Sequence, residues 1–440
     1  MPLFGLFVAV GLVGLAMGVP GLTGWQVHVI SFPPLHADWD PRVGPGTLPS
    51  LVLAGLAVVH AGPLAARLSW WRLLGASYAA GLAWLLALAL VDGPDGIGVI
   101  LQSKYEYLGP ARQVHDLGAT LHDYIARIPF GAPLGHWPPH LAGHPPGALT
   151  FFVVLVRLGL GSGFAAGCVV IAIAATTALA VMVTLRLLDA EALARRAAPF
   201  LVLGPAAVWQ AVSADAMFAA VGAWGMAALA AAAVRGRGVC AVGLALLAGA
   251  LLGYCVMLSY GLPLLGLLAL AVLVLARSWR PLPWAAGAAL AVVLAYAAAG
   301  FSWWEALPVI RERYWAGVAR HRPGTYWTWA DLAALTVSAG PLLGSGLAVL
   351  VRQWRTRGPV DGLPPSETRV VRWLTGAGVA MVLVADASQM SKAEVERIWL
   401  PFVPWLLLSC GLLPLRWRRW GLAVQLVTAL LVEHLLATGW

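Results

Sequence analysis

Residues 163–186 read GFAAGCVVIAIAATTALAVMVTLR, with no charged side chain before Arg186. A helix rises about 1.5 Å per residue, so this run is long enough to cross the ~30 Å hydrocarbon core of a bilayer. Similar runs recur from end to end, near 2–20, 50–66, 73–91, 198–212, 215–234, 239–256, 260–276, 283–300, 331–351, 372–386, 398–414 and 421–438. The 440-residue chain is 60% hydrophobic and 11% charged, with a mean hydropathy of +0.82. A soluble domain is about a quarter charged. The expected class is an all-α polytopic membrane protein of about thirteen transmembrane helices, with juxtamembrane helices on the outer face. The first run has neither a charged n-region nor an A-x-A site, so it reads as a retained helix.

Charge sets an orientation. The connections 67–72, 186–197, 235–238, 277–282, 352–371 and 415–420 hold more than half of the 28 basic residues, against only Asp189, Glu191, Asp361 and Glu367. Short basic loops of this kind lie on the cytoplasmic side. The net charge of +9 is therefore explained by topology, with no nucleic-acid partner. The N-terminus is expected in the cytoplasm and most of the carboxylates outside. Arg-over-Lys usage with abundant Ala, Gly and Leu suggests a bacterial cell membrane. The four cysteines fall in predicted spans and form no disulfide framework.

Three outer segments are long. Residues 21–48 contain FPPLHADWDPRVGPGT, a turn-rich loop. Residues 92–162 form the largest hydrophilic stretch. Within it, 110–128 carries Val114, Leu117, Leu121 and Ile125 at helical spacing, as a surface helix would. ALTFFVVLVRLGLG then follows, too short to span comfortably and suited to an interfacial helix. Residues 301–330 are dense in Trp, Tyr and Arg. Tryptophans at span ends read mainly as an aromatic belt.

Ionisable residues at membrane level are costly and usually mark a function or a partner. In KYEYL (104–108), Glu106 is a candidate general base, or one half of a Lys104–Glu106 surface pair. In HPPG (144–147), two prolines forbid a helix start until after them. They hold His144 where it could donate to a phosphate or move a proton. His136, His140 and His144 recur every four residues, but Pro138, Pro139, Pro145 and Pro146 break the helix a metal site would need. Asp215 in SADAMF is a helix N-cap or a second carboxylate of the same site. Arg311, Arg313, Arg320, His321, Arg322, Lys392 and Arg397 are candidate anion ligands in the outer loops. SKAEVERIWLPF (391–402) concentrates Lys392, Glu394, Glu396 and Arg397 between two apolar runs. It is either a solvated loop with local pairs or a part of the site.

This pattern resembles the GT-C superfamily of membrane glycosyltransferases, which use polyprenyl-phosphate-linked sugars, in its bacterial and especially actinobacterial form. The features that carry the resemblance are Glu106 in YEYL, His144-Pro145-Pro146-Gly147, the helix from 148, and Ser213-Ala214-Asp215. Their order matches over roughly residues 73–234, and SKAEVERIWLPF is similar to a late outer-loop element of such enzymes. The family's first acidic motif is usually Asp-based, where this chain has Glu106. If the core began at residue 1, Asp38 or Asp40 would stand in its place.

The resemblance implies a GT-C-like fold and an inverting transfer of a hexosyl or pentosyl group on the extracytoplasmic face. The donor is a polyprenyl-phosphate sugar and the acceptor a cell-envelope glycan or lipid. Glu106 and Asp215 are the implied catalytic carboxylates. Lys392, Arg397, Arg320 and His144 would bind the donor phosphate, and Glu394, Glu396, Asp116 and His321 would bind or orient the acceptor. No cofactor and no metal are expected. Residues 1–72 would form two N-terminal helices with an outer loop, 73–234 the catalytic core, and 235–440 the C-terminal helices. The rival readings are a transporter or flippase of lipid-linked sugar, and an outer-face glycan ligase or polymerase.

Overall fold

The computed structural model describes residues 1–356, 360 and 362–438; Asp361 of the basic connection 352–371 lies outside the described residues. Among the described residues, seven helices are long and apolar enough to cross a membrane, or nine if two bent helix pairs each count as one span. The chain suits a multi-pass membrane protein. The seven are Pro2–Thr23, Thr47–Arg67, Trp70–Asp92, Gly163–Leu187, Ala214–Arg235, Val239–Leu258 and Pro365–Ala387.

The difference from thirteen expected runs has a physical reason. An apolar run marks removal from water, and protein removes side chains from water as well as lipid does. The run at 398–414 becomes the short helices Val403–Leu407 and Leu408–Leu412, every residue of which is buried among other helices. The run at 198–212 ends in Glu191–Leu203 and a four-residue turn, Ala207–Gln210. By contrast, Pro2–Thr23 leaves Phe4, Phe7, Val8 and Leu15 more than half exposed, as a lipid-facing helix does.

Ala214–Arg235 is the central helix. Its alanines and glycines let it pack closely on Gly163–Ala174, Thr177–Leu187, Val239–Leu258 and Leu265–Leu275. The stretch expected as an interfacial helix is Gly147–Arg157, at 11 residues too short to span. Tyr254 Oη donates to Gly147 O at 2.9 Å and fixes it to Val239–Leu258.

Two helix pairs are sharply bent. Leu282–Ala298 and Trp303–Ala316 meet at 72°, and Gly324–Ser338 and Leu342–Thr356 at 108°. The second break runs Ala339-Gly340-Pro341, with Gly340 at φ +83°. Glycine tolerates that left-handed backbone and proline ends the helical ladder. A break of this kind orphans backbone groups away from water, which is costly. Gln425 satisfies them: its amide donates to Ala339 O at 2.7 Å and accepts from Leu342 N at 3.2 Å. A side chain at position 340 would collide with that amide.

The N-terminal region is joined to the rest. Ala37–Trp39 pairs antiparallel with Leu436–Thr438. Ser345 Oγ donates to Pro2 O at 2.8 Å, and Tyr326 Oη to Ala16 O at 2.7 Å. Arg322 donates to His28 O and to Lys392 O, and Arg397 contacts His140, so the loops 24–46, 93–146, 317–323 and 388–402 come together at one end of the helices.

Candidate functional site

At that end, four segments distant in sequence bring charged side chains into one buried cluster. The first is the turn after Leu101, which carries Glu106, 3% exposed. The second is the short helix Pro139–Gly143, bounded by prolines, which carries His140. Tyr107 Oη donates to His140 O at 3.4 Å and Tyr124 Oη to Leu141 O at 2.8 Å, so the segment is held from below by buried phenols. Arg313 grips the same loop from outside, donating to Ile128 O and, at 2.8 Å, to Trp137 O.

The third segment is the start of the central helix. Ser213 is its cap, accepting from Ala216 N at 3.4 Å. Asp215 is therefore not the cap. It sits in the first turn, 2% exposed, where the helix dipole favours a negative charge. The fourth is Val395–Ile398, which carries Arg397, also 2% exposed.

These residues touch in series. His140 Nδ1 lies 2.9 Å from Glu106 Oε1, and His140 Nε2 lies 3.4 Å from Arg397 Nη2. Arg397 Nη1 forms an ion pair with Asp215 Oδ2. A guanidinium only donates, so Nε2 is the acceptor and Nδ1 carries the hydrogen given to Glu106. Arg397 also faces Glu394 at 3.7 Å, and Arg322 faces the other oxygen of Glu394 at 3.5 Å. Both are long contacts, and the Glu394 side chain is 24% exposed.

The field inside the cluster follows from these pairings. Burial alone would raise the Glu106 carboxyl, but His140 beside it and the charge of Arg397 hold it below its ordinary value. Glu394 is likewise held down against burial, by Arg322 and then Arg397. Burial works against the Arg397 charge, yet Asp215, Glu106 and Glu394 keep it firmly protonated. Glu396 differs. Fully buried and next to the charge of Glu394, it is pushed up to about 7.

Of the residues expected from sequence, Glu106, Asp215, Glu394 and Arg397 meet in this cluster, with Glu396 buried beside it. Lys392 does not reach the carboxylates: its Nζ donates to Arg322 O at 3.1 Å and lies 4.5 Å from the Trp315 ring centroid. His144 sits behind His140, its Nδ1 donating to His140 O at 2.8 Å, with burial pushing its pKa down. Asp116 is an exposed helix cap that accepts from Ala119 N at 3.1 Å. Arg320 is exposed on a short turn, and His321 is exposed beside the His28 ring. Arg322, two positions on, is the one that turns inward. Asp38 accepts from Ser31 and Asp40 pairs with Arg42, outside the series of contacts from Glu106 to Asp215.

Arg322 is among the anion ligands expected from sequence, whereas His140 enters there only as a possible metal ligand. A signal existed for His140, whose flanking prolines pin it as tightly as they pin His144. Among the described residues, no three His, Cys, Asp or Glu side chains gather as metal ligands. No established protein family and no curated protein matches the chain, so the site's own chemistry carries the functional argument.

Proposed function

We propose that the protein is an integral-membrane glycosyltransferase of GT-C type. It moves a sugar from a polyprenyl-phosphate donor to a cell-envelope acceptor on the extracytoplasmic face, with inversion. The observation that carries this reading is the buried series Glu106–His140–Arg397–Asp215, assembled from four separate segments where only a functional demand justifies the cost. Buried ion pairs are a poor source of stability, and perturbed ionisable groups cluster at functional sites.

In this reading the acceptor hydroxyl attacks the anomeric carbon while the bond to the phosphate oxygen breaks. The hydroxyl proton passes to the Glu106–His140 pair at Glu106 Oε2, which is buried without a hydrogen-bond partner among the described residues, while Oε1 accepts from His140 Nδ1 and is held in place by it. The electron pair of the broken bond stays with the departing lipid phosphate. Arg397 and Arg322 meet that charge as the phosphate displaces Glu394, whose two long contacts and partial exposure make it the replaceable ligand. Asp215 keeps Arg397 aimed.

Glu106, Asp215 and Arg397 are closed off from solvent, so access requires the strap 388–394 to open. Gln389, Ala393 and Glu394 all have positive φ there, a strained backbone that persists only where surrounding contacts hold it. Arg322 and Asp331 supply those contacts, to Lys392 O and Ala393 N.

A transporter or flippase is the second reading, favoured by the two broken helix pairs. Reconstituted protein, given a panel of polyprenyl-phospho-sugars and cell-envelope acceptors, separates the two. Appearance of a glycosylated acceptor supports the transferase. Movement of intact donor between leaflets with no transfer from any donor overturns it.

A further inference from the structure

A cavity of about 290 Å³ is lined by residues flanking Glu106 and His140 in sequence. Its walls come from 102–113 on one side and from Arg127, Trp137 and Pro138 on the other. A monosaccharide unit is of this size class, since ligand pockets begin at about 300 Å³.

The lining has a definite chemistry. Lys104 and Arg127 contribute two positive charges, and no carboxylate contributes to the wall. Among the described residues, neither cation is ion-paired; Arg127 donates through Nε to Gly135 O at 3.1 Å and stacks 3.7 Å from the Trp137 ring centroid. That stacking fixes the guanidinium plane while the Nη atoms remain available to a ligand. Lys104 lies 5.1 Å from the Tyr105 ring centroid. Ser103 and Gln113 add neutral hydrogen-bonding groups, and Pro138 an apolar face. Two cations, one of them held in place, beside hydroxyl- and amide-binding groups suit a ligand that is both anionic and rich in hydroxyls.

We infer that this cavity binds an anionic sugar unit, a uronic acid or a phosphorylated sugar. Its role as the acceptor subsite rests on the glycosyltransferase reading: Lys104 lies two residues before Glu106 and Pro138 two before His140, so a sugar held here is a short step from the proton-accepting pair. The binding itself does not rest on that reading.

The test is calorimetric titration of the purified full chain in detergent with glucuronate, glucose 6-phosphate, glucose and inorganic phosphate. Saturable binding of both anionic sugars, with glucose and phosphate each at least tenfold weaker, is the expected result. Lys104→Glu and Arg127→Gln should each weaken the anionic sugars about fivefold or more, as the loss of one partly exposed ion pair does. Lys104 is exposed, so Lys104→Glu tests the site without a folding penalty. Equal binding of glucose and glucuronate, equal binding of phosphate and the sugars, or an unchanged affinity in Lys104→Glu would each overturn the inference. Binding as expected without any sugar transfer would leave the cavity standing and count against the transferase reading alone.

Discussion

Replacing Arg397 by methionine tests whether the cluster is energetically coupled in the way its contacts imply. The substitution keeps an apolar stem of similar length and removes the guanidinium that faces Asp215, His140 and Glu394. Asp215 is 2% exposed, so its carboxylate is left in a poorly solvated place. Breaking a buried pair by removing one partner costs about 3–5 kcal/mol, most of it the uncompensated charge. Asp215→Asn in the same background removes that charge, so the double variant should recover about 2 kcal/mol or more relative to the sum of the single variants. The assay is a reversible denaturant titration in mixed micelles, read by the fluorescence of the 22 tryptophans. Additivity of the two substitutions to within about 0.5 kcal/mol would refute the coupling and reduce the cluster to adjacent but independent groups.

Other outcomes follow from particular residues. Glu396 is pushed up to about 7 from an ordinary 4.5, so the folded state favours its protonated form, and stability falls as pH rises through that window. Glu396→Gln should therefore stabilise the protein by an order of 3 kcal/mol at pH 8 and hardly at all at pH 4; a stabilisation independent of pH would refute this. Glu106 has the opposite sign. Its lowered pKa contributes stability above the ordinary carboxylate range that is lost as pH falls below it, so acid should destabilise wild type more than Glu106→Gln in denaturant titrations. Gln425→Leu strips two buried backbone groups of their partners at the 339–342 break and should cost about 3 kcal/mol in the same titration. A near-neutral effect would mean that water reaches the break.

Much of this architecture was legible before any coordinates. Long charge-free runs such as 163–186 and 239–256 identify membrane helices because burial of so many apolar side chains has few other uses. The separation of Glu106, Asp215 and Arg397 from basic connections such as 235–238 and 415–420 marks them out as a group. Three features were not legible. Apolar runs such as 398–414 read the same whether lipid or protein covers them, which is why the number of expected spans exceeds what the helices support. Which arginine of Arg320-His321-Arg322 faces inward depends on a single short turn at 318–320, below the resolution of any pattern. His140 escaped because its prolines, which rule out a long metal-binding helix, also permit the single turn Pro139–Gly143 that aims its ring between Glu106 and Arg397.

The most direct measurement is sugar transfer by reconstituted wild type, Glu106→Gln and His140→Gln, with mass spectrometry of the acceptor and a parallel unfolding curve for each variant. The account predicts transfer by wild type and a loss of about 10²–10⁴-fold in both variants, the range expected for removing a proton acceptor, with their folding intact. Full activity of Glu106→Gln, in a preparation where wild type transfers sugar, would contradict it.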